Sequence, residues 1–250
     1  MPTYNPDHVE YNIVSGHIHV RLDDGRLLPA YWAHPTLATK FPGIALIHDW
    51  WGLTDSVRRM ANQLAQVGHY VIAPDLFNGS VATTHAEALN LLDKLGDGGY
   101  ARVNAVLSVL ERHHHCNGDV GAVGFGMGGS LAFEAAIMRG DLEAAVAYGG
   151  FPQRYFGYFH RSNTPILALY GTREQYIPPE VIEKLRTELA ANPRGLPHEV
   201  VMLDNLDHQL LKDITSPQED IQIRKGWHKT LDFLDNLLQG PNRPPDRRKR

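Results

Sequence analysis

Residues Asp119 to Met138 read DVGAVGFGMGGSLAFEAAIM, an apolar strand that turns through glycines straight into a helix. A turn this sharp holds its apex residue in strained geometry. Where such a turn carries chemistry, the apex is a nucleophile with a glycine two places on either side. Gly124 and Gly128 are those flanks, so the apex is position 126, and position 126 is itself glycine. The turn dictates a strand buried on both faces, packed against the helix that follows it. It leaves open what a bare apex can do.

The rest of the chain suits one large α/β domain. At 250 residues and 28.0 kDa it is long enough to bury a substantial core. A net charge of -4 with pI near 6.4 gives no general attraction to nucleic acid. A single cysteine, Cys116, excludes an internal disulfide and fits a reducing compartment. The opening MPTYNPDHVEYN lacks the basic-then-apolar pattern of a signal peptide, and no apolar run approaches the ~20 residues of a membrane span. A cytoplasmic protein with no membrane contact is expected. Residues 1–240 are assigned to the domain. Residues 241–250, PNRPPDRRKR, are a basic, proline-containing tail whose composition predicts disorder.

Residues 9–14 and 17–22 alternate apolar and polar positions and are expected to pair as a hairpin around Ser15-Gly16, with Leu27 to His34 as a third strand. After that the texture changes. GIALIH (43–48), HYVIAPD (69–75), VGAVGF (120–125), EAAVAY (143–148), PILALYG (165–171) and HEVVMLD (198–204) are short apolar runs of the parallel-sheet type. Helical stripes separate them: Val57, Met60, Ala61, Leu64 and Val67, capped by Thr54 or Asp55; then Ala88, Leu91, Leu92 and Leu95, opened by a Thr84–Glu87 capping box. Further stripes run through Val103–Leu110, Leu131–Ile137, Leu185–Leu189 and Trp227–Leu238. Strands alternating with helices imply a mostly parallel, doubly wound sheet with an antiparallel N-terminal edge hairpin.

In such sheets ligands bind beyond the carboxyl ends of the strands. The residues there are Asp49-Trp50-Trp51-Gly52, the elbow, Thr172-Arg173-Glu174 and Asn205-Leu206-Asp207-His208. Apex, carboxylate and histidine follow in the order of an α/β-hydrolase triad, with Glu174 orienting His208 and His208 as base toward the apex. In order and spacing HDWWGL, APDLFNG, GAVGFGMGGS, LYGTREQYIPP and LDHQLLKD resemble the dienelactone hydrolase family, from about Leu28 to the last helix. The resemblance implies an α/β-hydrolase fold without a large lid, acting on lactones or small carboxylic esters with no metal or organic cofactor.

It also implies roles, with three departures. The nucleophile, usually cysteine and sometimes serine, falls on Gly126; the triad acid, usually aspartate, falls on Glu174; the glutamate after the first central strand falls on Asp49. The family's oxyanion hole would be the backbone N–H groups of Met127 and Trp50. Lys212, four places after the histidine, falls where some members hold a substrate carboxylate. Trp50 and Trp51 border the crevice, with Trp51 and Asp49 as substrate contacts. Asp49 is equally suited to cap the following helix, while Lys212 reads more as a solvated lysine than as a substrate clamp.

Other nucleophiles fit poorly. Ser130 lies four residues into the helix, roughly 6 Å along its axis, and Cys116 precedes its strand at the far end of the sheet. His113-His114-His115 reads as a solvated helix end, since adjacent histidines diverge and no spaced ligand set joins them. Three functions follow: a pocket that binds or slowly hydrolyses a small, carboxylate-bearing lactone or ester; a working hydrolase, through water activated by His208 or with Gly126 engineered in place of a nucleophile; or a scaffold or subunit. A monomer or homodimer suits all three.

Overall fold

The computed structural model describes residues 10–210 and 217–238. Among these, eight strands form one sheet in the order β1-β2-β4-β3-β5-β6-β7-β8. They are β1 (Ile13–Arg21), β2 (Leu27–Pro35), β3 (Phe41–Ile47), β4 (Tyr70–Pro74), β5 (Cys116–Phe125), β6 (Ala144–Tyr148), β7 (Ile166–Gly171) and β8 (Glu199–Leu203). β3 to β8 are mutually parallel, while β2 runs antiparallel to both β1 and β4. The N-terminal hairpin exists, but its turn differs from the expectation. Ser15 and Gly16 sit inside β1, opposite Ala33 and Trp32, and the chain reverses over residues 22–26. Gly25 supplies the positive φ, 83°, that this reversal requires. The stretch Ile13–Arg21 is therefore one continuous strand.

Among the described residues the α-helices are α1 (Asp55–Gln66), α2 (His85–Leu95), α3 (Gly99–Arg112), α4 (Met127–Met138), α5 (Pro179–Ala190) and α6 (Pro217–Leu237). Successive strand residues point to opposite faces, and the core divides accordingly. Ala45 and Ile47 of β3 join the side chains of α3, α4 and α5. Ile44 and Leu46 join those of α1 and α6. Both faces are dry, which is why the central strands are apolar at every position. The Thr84–Glu87 capping box forms as expected, whereas Thr54 precedes α1 without a side-chain cap.

The histidine triplet stands at the end of α3, His113 as its C-cap and His114-His115 in the turn leading to β5, with His114 exposed. Its rings continue a stack from β2 and β4: His34 on Tyr70 at 4.8 Å, Tyr70 against His113 at 4.6 Å and His114 against His115 at 4.1 Å. Burial and the neighbouring imidazoles hold the pKa of His113 and His115 below the usual histidine range.

The elbow joining β5 to α4 is built on close backbone contact. A Cβ at Gly124 would stand 2.0 Å from the Gly128 carbonyl oxygen, and one at Gly128 would stand 2.3 Å from that of Ile47. Gly98, before α3, has nothing within 4 Å. Gly124→Ala is therefore expected to cost about 4 kcal/mol or to prevent folding, while Gly98→Ala changes stability by less than about 1 kcal/mol. Urea unfolding of the two variants reads the difference.

Candidate active site

Gly126 stands at the N-cap of α4 with φ 51° and ψ -114°, a backbone conformation costly for a residue with a side chain. Its N–H donates to the Tyr148 carbonyl at 2.7 Å, tying the apex to the end of β6. Space above it is open. Beyond its chain neighbours, a Cβ at this position would meet Asp49 Cβ at 3.5 Å and His208 Nε2 at 3.6 Å, both ordinary van der Waals distances.

His208 arrives on the segment after β8, which crosses the end of β7. Arg173 N–H donates to the Leu206 carbonyl and Asn205 N–H to the Thr172 hydroxyl, while Leu206 is buried beneath. His208 Nδ1 then pairs with Glu174 Oε2 at 2.8 Å, their side chains 14% and 4% exposed. Glu174 Oε1 accepts from the amides of Tyr176 and Ile177. Burial alone would raise the Glu174 pKa. The bonds from His208, Tyr176 and Ile177 outweigh it and hold the carboxyl below its ordinary value. With Nδ1–H engaged, Nε2 faces Gly126. Phe151 and Tyr176 flank the ring at 5.3 and 5.0 Å. A buried carboxylate fixing an imidazole in this tautomer makes Nε2 the proton acceptor.

Asp49 faces the same space from the end of β3. It does not cap α1, which begins at Asp55. Instead Oδ1 accepts from the Trp51 amide at 2.9 Å, closing a turn. His48 sets the turn: its Nε2 accepts from the Leu76 amide, so its Nδ1–H donates to the Asp49 carbonyl at 2.6 Å. Burial pushes the His48 pKa down, keeping the ring neutral and able to play both parts. Burial also raises the Asp49 carboxyl from 3.8 to about 6, against the opposing pull of the Trp51 amide and His208.

The amides of Trp50 and Met127 donate to no acceptor among the described residues. The cavity over them, about 240 Å³, is walled mainly by apolar groups: Trp50, Trp51, Leu92, Phe125, Phe151 and Tyr176. Trp50 and Trp51 brace one another and His85, with ring centroids 5.3–5.4 Å apart. Ser130 is occupied structurally, accepting from the Phe151 amide at 2.9 Å and donating to the Gly126 carbonyl. Cys116 is buried at the start of β5. Lys212 lies outside the described residues. Among those residues no group of three or more His, Cys, Asp or Glu side chains converges as a metal site, and no helix is long and apolar enough to cross a membrane.

Residues 28–238 match the model of the dienelactone hydrolase family. The chain belongs to that family. Among curated members it is 28% identical over 216 residues to the carboxymethylenebutenolidase of Rhodococcus opacus, spanning 78% of this chain and 81% of that one. Protein usf of Aquifex pyrophilus is 23% identical, over 79% of this chain and 89% of its own. The crystal structure of a candidate dienelactone hydrolase from Klebsiella pneumoniae superposes with a TM-score of 0.79 at 25% identity, covering 89% and 98% of the two chains.

In this dienelactone hydrolase fold Gly126, His208, Asp49, Trp50, Trp51 and Met127, all singled out in the sequence, line one pocket, and Glu174 pairs with His208 from outside that lining. Sequence reasoning missed His48 and Phe151. His48 follows β3 directly and Phe151 stands just past Gly149-Gly150 at the end of β6, so reading every strand end would have found them.

The two carboxylates give opposite signs on titration. A carboxyl with a raised folded pKa stabilises the fold while protonated and loses that contribution as pH rises through it. Asp49→Asn keeps an acceptor for the Trp51 amide but cannot ionise. It should match the native protein near pH 3.5 and exceed it by about 2 kcal/mol above pH 7, the gap opening between about pH 4 and 6. Urea unfolding across that range measures it.

Proposed function

We propose that this family member binds a small lactone or carboxylic ester in the pocket over Gly126 and lacks covalent catalysis. The observation that carries the reading is the bare apex: His208 Nε2 points at a position with no oxygen or sulfur to deprotonate. The amides of Trp50 and Met127 are the oxyanion donors, Glu174 orients His208, and Asp49 and Trp51 line the substrate. Lys212 is the candidate partner for a substrate carboxylate. The apolar walls and the relatives' name, carboxymethylenebutenolidase, support a compact unsaturated lactone as ligand.

Hydrolysis in such a site runs through water. A water in the void over Gly126 has His208 as base and the two amides as oxyanion donors. Enzymes of this geometry stripped of a triad member keep roughly 10³–10⁴-fold over the uncatalysed rate. That suffices for a strained lactone and leaves ordinary esters nearly untouched.

Restoring the nucleophile separates binding from chemistry. Gly126→Ser and Gly126→Cys place the new atom within reach of His208 Nε2, at about 1–3 kcal/mol of backbone strain. Both are expected to raise aryl-ester turnover at least about 100-fold and to form an acyl adduct visible by mass spectrometry, while the native chain forms none. Rapid native turnover with an acylated side chain would end this reading. Folded but inactive variants would favour a scaffold.

A further inference from the structure

Removing the apex side chain does more than disarm a hydrolase: it joins two proton-handling groups across one small space. Apart from its own chain neighbours, an atom at the Cβ position of Gly126 lies within 4 Å only of His208 Nε2, at 3.6 Å, and Asp49 Cβ, at 3.5 Å, so the Asp49 carboxyl oxygens stand farther out, toward the body of a bound ligand. Asp49 Oδ1 is held by the Trp51 amide; Oδ2 has no hydrogen-bond partner among the described residues. Trp50 and Met127 line the same cavity, and their amides donate to no acceptor among the described residues. A base, an acid and an oxyanion hole around a vacant position are the requirements for enolisation of a carbonyl compound, a reaction that needs no nucleophile.

We propose that the pocket catalyses double-bond migration in β,γ-unsaturated lactones, with His208 as the base at Cα, the Trp50 and Met127 amides binding the dienolate oxygen, and Asp49 as the acid at Cγ. It rests on the lactone-binding half of the function proposed above and not on hydrolysis. His208 Nε2 takes the α-proton; the C–H electron pair becomes the Cα=C1 π bond, and the carbonyl π pair moves onto oxygen. Asp49 Oδ2–H then protonates Cγ. The C1=O bond re-forms, the Cα=Cβ double bond is left conjugated with it, and the imidazolium returns its proton to the Asp49 carboxylate. No water is consumed and nothing is oxidised. The raised Asp49 pKa keeps a substantial fraction of that carboxyl protonated near pH 6. A nucleophile's side chain would occupy the place of the reacting carbon, so the activity belongs to the glycine form of the elbow.

The test uses the full chain and α-angelica lactone, a β,γ-unsaturated five-membered lactone, in D2O at pH 6, followed by ¹H NMR. Loss of the α-CH2 signal reports exchange, the conjugated isomer reports migration and the ring-opened keto acid reports hydrolysis. Binding is read separately from quenching of tryptophan fluorescence. The native chain is expected to form the conjugated isomer at least about 100-fold faster than buffer, and faster than it opens the ring. His208→Ala should lose exchange and migration together. Asp49→Asn should lower the ratio of migration to α-exchange at least about tenfold. Gly126→Ala, folded by circular dichroism, should lose both by filling the void without supplying a nucleophile. Lactone bound with no exchange above buffer, ring opening alone, or a ratio of migration to exchange undiminished in Asp49→Asn overturns the proposal and leaves the binding function standing. No binding overturns both.

Discussion

The pocket depends on how closely the start of α4 sits against the ends of its neighbouring strands. Gly128 lies under the carbonyls of Ile47 and His48, and Gly129 lies against Gly150. No side chain larger than hydrogen is tolerated at these contacts, because the opposing atoms are backbone and cannot rotate away. That seat lets one short turn face Asp49 after β3, Phe151 after β6 and His208 after β8. It also leaves the Met127 amide, the first of the helix, pointing at the cavity without an intrahelical acceptor. A methyl group in this contact would displace the walls of the pocket, not merely the turn.

Within it, two carboxyls of the same chemistry are driven apart by their surroundings. Glu174 is buried yet accepts from an imidazole and two amides, and its pKa falls. Asp49 is enclosed with a single amide bond to one oxygen, and its pKa rises to about 6. The contrast follows from hydrogen-bond supply: desolvation penalises both anions, and only Glu174 receives enough donors to overcome it. Such divergence between neighbouring groups is how one site comes to hold a base-supporting anion and a proton donor at the same pH.

Much of this was legible in the sequence because it depends on local pattern. Unbroken apolar runs marked the parallel strands, and the glycines at 124, 126 and 128 marked the elbow. Where the pattern was ambiguous, geometry overruled it. Ser15-Gly16 looked like a turn but pairs inside β1, since the whole stretch keeps a period of two and Gly25 offers the better reversal. The histidine triplet does end α3, with His113 as its C-cap, but the stack it extends from His34 and Tyr70, on strands distant in the chain, is set only by the fold. Asp49 looked as much like a helix cap as a pocket wall; four residues, 50–53, separate it from the N-cap Thr54, and only the fold reveals that.

The chain by itself determined the sheet type, the elbow, the absent side chain at its apex and the carboxylate–histidine order downstream, because each is written in residue type and spacing. The tertiary structure alone decided what surrounds that absence: the 2.8 Å pairing of Glu174 with His208, the His48 brace under Asp49 and the vacancy between Asp49 and Nε2. Burial and distance between segments far apart in sequence set those features, and neither quantity exists until the chain has folded.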